Sequence, residues 1–143
     1  MKKIKFYYYD SNPNLRNRNK LKLFIFKLFK KERTDIVKIN YIFCSDRYLL
    51  SLNRKFLKHN YYTDVITFDM SAFKNKIEAE IYISIDRVKE NARLNQNSFE
   101  HEIHRVMFHG ALHLCGYNDK TKGEIAKMRR RENMCLKLFF DNK

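Results

Sequence analysis

His109, His113 and Asp119 are residues whose types and spacing suit a metal ion, and they sit where the chain concentrates its rarest building blocks. Four of the five histidines and all three glycines fall between His101 and Gly123. Two histidines four apart on a helix point the same way, about 40° apart around the axis. A glycine three residues later, Gly116, can end that helix in a left-handed cap and turn Asp119 back toward the imidazoles. Three ligands with an open fourth position are the arrangement of a catalytic zinc site rather than a structural one. Cys115 lies between the ligands, but its type suits a small buried hydrophobe better than a fourth ligand.

The ligand pair must ride on a long helix, for which Ser98 is the N-cap candidate. Projected at 100° per residue, Phe99, Ile103, Val106, Met107, Gly110 and Leu114 form a core stripe. His109 and His113 lie on one flank of it, with Glu102 below them. His101 and His104 project roughly 120–180° away and so fall outside the same site. The spacing HxxxHxxGxxD overlays the HExxHxxGxxH pattern of metzincin peptidases. Those enzymes use the Glu after the first His as general base; here that position is Gly110, which has no side chain to accept a proton. The spacing therefore argues for a metal and against peptidase chemistry.

Other segments read as the frame around this helix. Residues 3–9 form a strand, and Asp10 to Asn14, with the chain's one proline, form a loop. Leu21, Phe24, Ile25, Leu28 and Phe29 follow helical spacing. Residues 36–44 form an apolar strand, and Asp46 is placed to cap a helix through Leu49, Leu50, Leu52, Asn53 and Phe56. Val65–Phe68 and Ile81–Ser84 are β-branched and aromatic runs that read as adjacent strands. Asp86 opens a helix to about Leu94, and a last helix begins near Thr121. The order β-α-β-α-β-β-α-α-α implies a mixed four-stranded sheet packed with helices, an α+β fold.

No apolar stretch approaches the roughly 20 residues needed to span a bilayer. The N-terminus has no signal-peptide hydrophobic core, and three cysteines without CxxC spacing suggest reduced thiols; both point to the cytoplasm. The net charge of +14 invites a polyanion such as nucleic acid. Residues 1–33 carry eleven Lys/Arg against two carboxylates and residues 119–143 eight against four, so the ends hold +13 of it. A+T-rich codons would also enrich Lys, Asn, Ile, Phe and Tyr, giving the charge a second source.

Residues 109–119, HGALHLCGYND, resemble the HGxLHLxGYDH signature of the YbeY family of metal-dependent endoribonucleases. Leu52-Asn53 through Phe56 and Thr63-Asp64-Val65-Ile66-Thr67-Phe68 resemble the family's LNxxYRxxDxxTDVLSF block. Glu80-Ile81-Tyr82-Ile83-Ser84 with Asn91-Ala92 resembles its GDIxIS…NA block. The resemblance implies one compact domain over residues 1–143 with a zincin-like helix. It implies one zinc per chain, held by His109, His113 and Asp119 and activating a water. It implies action on ribosomal RNA, at the 3′ end of the small-subunit RNA and in ribosome quality control, with ribosomal subunit proteins as further partners. Neither a general base nor an oligomeric state can be read from the chain; Thr63 and Asp64 are candidates to line the site.

Three departures stand out. Asp119 replaces a histidine, which adds negative charge and tempers the metal as a Lewis acid. Leu57 replaces the arginine expected to face phosphate, with Lys58 and His59 as possible substitutes in RNA binding. Ala79 replaces a glycine. These changes keep a rival in view, a zinc-stabilised ribosome-assembly or RNA-binding factor without strong nuclease activity.

Overall fold

The computed structural model describes residues 3–141. In chain order it contains β1 (Ile4–Tyr8), α1 (Arg18–Lys31), β2 (Asp35–Cys44), α2 (Asp46–Leu57), β3 (Val65–Asp69) and β4 (Lys76–Ser84). Then come α3 (Ile85–Leu94), α4 (Phe99–Leu114) and α5 (Lys122–Asp141). The element order is the one the sequence patterns imply. The sheet order is β1-β2-β4-β3, with β1 and β4 parallel to β2 and β3 antiparallel to β4. The parallel pairs need helical crossovers, which α1 and the segment carrying α2 supply.

Alternation along the strands gives the sheet two apolar faces. Ile39, Tyr41 and Phe43 of β2 pair with Ala79, Ile81 and Ile83 of β4, and all six are buried in the main core with α1, α4 and α5. On the opposite face Leu49 of α2 clusters with Cys44 and Ile66 of the sheet. Tyr41 crosses the layers: wholly buried, it donates its hydroxyl to the Met107 carbonyl of α4 at 2.9 Å. Gly110 sets how closely α4 lies on β4, because a Cβ there would stand 2.9 Å from Ile81 Cγ2.

Helix starts differ by one residue from two of the sequence assignments. Ser45 and Ser84, not Asp46 and Asp86, cap α2 and α3, their hydroxyls accepting from Tyr48 N at 3.2 Å and Arg87 N at 3.1 Å. The two aspartates, one position past Ser45 and two past Ser84, bind the helices to each other. Asp46 accepts from Ser84 Oγ at 2.9 Å and Arg87 at 2.7 Å, and Asp86 accepts from Asp46 N at 2.8 Å. Ser98 caps α4 as expected, accepting from His101 N at 3.0 Å.

Candidate metal centre

The end of α4 builds the site. Gly116 adopts φ +101°, a left-handed value that glycine reaches without strain. Gly116 N then donates to His113 O and Tyr117 N to Leu112 O, each at 3.0 Å, the paired bonds of a Schellman cap. This turn delivers two groups to the site. The Tyr117 carbonyl takes the Nδ1 proton of His113 at 2.8 Å, and Asp119 follows two residues on.

His109 is oriented from elsewhere. Its Nδ1 lies 2.5 Å from Glu132 Oε2 of α5. Glu132 is buried, at 2% exposure, and accepts from Arg105 at 3.1 Å and Arg129 at 3.2 Å. Burial alone would raise its pKa, but His109 and Arg105 hold the carboxyl below its ordinary value. With an acceptor on each Nδ1, both histidines carry their proton there and turn an Nε2 lone pair outward. Those atoms meet Asp119 Oδ2, 3.4 Å from His109 Nε2 and 3.2 Å from His113 Nε2. An ion bound tetrahedrally at 2.0–2.1 Å needs ligand atoms about 3.3 Å apart. The three side chains offer donor atoms within 4.8 Å of one another, so the donor set fits a small divalent ion.

The cluster opens into a cleft of about 690 Å³ lined by residues of α2, β3, α4 and the loops around them. Thr63 and Asp64 line it, as does His59. Burial pushes the Asp64 carboxyl up, against the pull of Arg105 and His109. Lys58 is not among the lining residues; it ends α2 in a left-handed conformation, φ 56°. The cation that does line the cleft is Lys120, next to Asp119 and outside the block where sequence reasoning looked for one. Burial pushes the Cys115 thiol up to about 12, which suits a packing residue and not a ligand.

Glu102, about two turns before His109 on α4, has its carboxylate already engaged. It is wholly buried and paired with Arg105. Arg105 and Glu132 were missed by sequence reasoning. For Glu132 a signal existed: it falls on the helical stripe of Met128, Cys135, Leu136 and Phe139, where a carboxylate needs a buried partner.

An α+β fold that presents two imidazoles and a carboxylate at the mouth of an open cleft defines a protein able to hold one metal ion where substrate can reach it. The family model described as endoribonuclease YbeY matches residues 10–139. The chain belongs to the YbeY family of endoribonucleases. It is 51% identical over 135 residues to the endoribonuclease YbeY of Cytophaga hutchinsonii, covering 94% of each chain. With that of Karelsulcia muelleri it shares 43% over 130 residues, 91% of this chain and 92% of the other. The solution structure of TM1509 from Thermotoga maritima matches with a TM-score of 0.68 at 27% identity, over 97% of this chain and 90% of that one.

Proposed function

We propose that this chain, acting as one domain over residues 1–143, is a zinc-dependent endoribonuclease directed at single-stranded parts of ribosomal RNA. Its work would be maturation of the small-subunit RNA 3′ end and ribosome quality control, in the cytoplasm where ribosomes are made. The carrying observation is the convergence of His109 Nε2, His113 Nε2 and Asp119 Oδ2 at one side of an open cleft. Two neutral imidazoles and a carboxylate suit zinc. What a zinc ion supplies there when bound is Lewis acidity toward a phosphodiester and toward water.

Protein groups do the rest. Glu132 and the Tyr117 carbonyl hold the two rings in the ligating tautomer, so little reorganisation is needed on loading. Asp64 brings to the cleft a carboxyl raised by burial, suited to accept a proton near the scissile bond. Lys120 offers its ammonium to a phosphate. The +14 charge draws RNA in from a distance. Asp119, 41% exposed at its side chain, leaves the cluster open to substrate, which favours this reading over a purely structural zinc.

Single-turnover cleavage of a structured ribosomal RNA fragment tests the reading. Cleavage that stops with chelator and returns with zinc is expected. Unchanged binding with no cleavage under any metal would replace the nuclease by the assembly-factor rival.

A further inference from the structure

Among the residues lining the cleft, one Lys/Arg, Lys120, stands against three carboxylates, Asp64, Asp69 and Asp119. Long-range attraction belongs to the whole chain, but at contact this wall is poor at gripping phosphates. Leu57 adds an apolar surface to it. What the wall does offer is a pair of rings. His59 and Tyr61 stack with centroids 5.0 Å apart and planes 21° from parallel, and the Tyr61 hydroxyl bonds His59 Nδ1 at 2.9 Å. Both line the cleft that holds the cluster, and Tyr61 remains 56% exposed.

The loop bearing them is held firmly although it has no regular structure. Asn53, buried in α2, donates from Nδ2 to the Tyr61 carbonyl at 2.8 Å and accepts His59 N on its own carbonyl at 3.1 Å. Arg54 Nε donates to Asn60 Oδ1 at 2.5 Å. An exposed aromatic pair fixed from below, inside a polar cleft, loses little entropy when a flat ligand settles on it.

We propose that the His59–Tyr61 pair is a stacking platform for one unpaired nucleobase of the strand whose backbone passes the metal cluster. This deepens the RNA reading and rests on it. Each ring has one face against its neighbour, leaving an outer face for a base. A paired and stacked duplex cannot present a base that way, so the platform selects for locally unpaired RNA. His59 thereby serves through its ring rather than as a phosphate-binding cation.

The test uses the full, metal-loaded chain and a short single-stranded RNA carrying one 2-aminopurine, with stopped-flow fluorescence reading stacking before cleavage. A matched strand is abasic at that position. Wild type should quench the fluorophore and bind the abasic strand roughly 5- to 150-fold more weakly. Tyr61→Ala should lose the quench and weaken binding to the intact strand by the same factor, while no longer distinguishing the two strands. Tyr61→Phe, which keeps the ring, should restore both. Equal wild-type affinity for the two strands overturns the platform, as does Tyr61→Ala binding at wild-type strength; a phosphate contact by His59 would give the first result. The abasic comparison on wild type decides the matter even if Tyr61→Ala fails to fold. If wild type binds and cleaves no strand at all, the RNA reading itself falls; if it cleaves without sensing the base, only the platform does.

Discussion

On one flank of α4, His104 lies buried among Phe108, Phe139 and Phe140, with ring centroids 5.0–6.3 Å away. On the other flank, His109 and His113 face a cleft. The three rings are held in the same way: each Nδ1 gives its proton to an acceptor, Glu100 O at 2.7 Å, Glu132 Oε2 at 2.5 Å or Tyr117 O at 2.8 Å. What separates them is the surroundings of Nε2. In His104 that atom is buried without a partner; in the other two it meets Asp119. Residue type and tautomer are shared, so packing residue and candidate metal ligand are distinguished by what the free nitrogen sees.

Breaking the ligand flank gives the largest effect. His109→Ala or His113→Ala should remove most bound zinc, measured by elemental analysis, and abolish cleavage, while His101→Ala keeps both. Full metal content in both ligand variants would dissolve the contrast between flanks.

Next in size is the support under one ligand. Glu132→Ala takes from Arg105 one of its two buried carboxylate partners, leaving Glu102, and frees the His109 ring. Zinc affinity should drop roughly 10- to 100-fold, and stability should fall by about 1.5–3 kcal/mol because Arg105 loses a buried charged hydrogen bond while keeping Glu102. Glu132→Gln, which keeps an acceptor oxygen, should recover part of both. Competition with a chromogenic chelator and urea unfolding measure the two separately; unaltered affinity would leave Glu132 with a structural role alone.

The smallest effect sharpens the other flank. Burial holds the His104 imidazole below its ordinary value, with repulsion from His101 and Lys20 added and Glu100 opposing. Below about pH 6.5 the unfolded chain takes up a proton that the folded chain resists. The stability from keeping this ring neutral is therefore present above that pH and declines on acidification. His104→Phe should flatten that part of the acid-side decline and leave zinc content unchanged. An urea midpoint whose pH dependence matches wild type would show that His104 is not a source of it.

These contrasts also mark how far the sequence could be read. The nine elements among the described residues follow from local periodicity and breakers, and the candidate metal-binding triad from spacing within eleven residues, 109–119. Contacts between distant segments were beyond that reach. Glu132 lies 23 residues from His109, and no periodicity within one helix says which carboxylate of another will meet an imidazole. The shifted helix starts have a physical cause too, since Ser45 lies one before Asp46 and Ser84 two before Asp86, and a serine hydroxyl caps as well as a carboxylate. The Lys58 position illustrates the reverse case: neighbours in sequence diverge when the backbone turns left-handed between them.

The tight seat of Gly110 on Ile81 has an evolutionary edge. A peptidase of the HExxH kind keeps its proton acceptor at the residue after the first histidine. In this chain any side chain there would have to displace Ile81, a β-branched residue in the middle of a core strand. A single codon change could write the glutamate, but the lineage would first have to loosen the helix–sheet contact and then repack around a buried charge, each step costly by itself. The route to that neighbouring trade thus runs through an unstable intermediate, which helps keep the scaffold's metal helix committed to chemistry that needs no residue at that place.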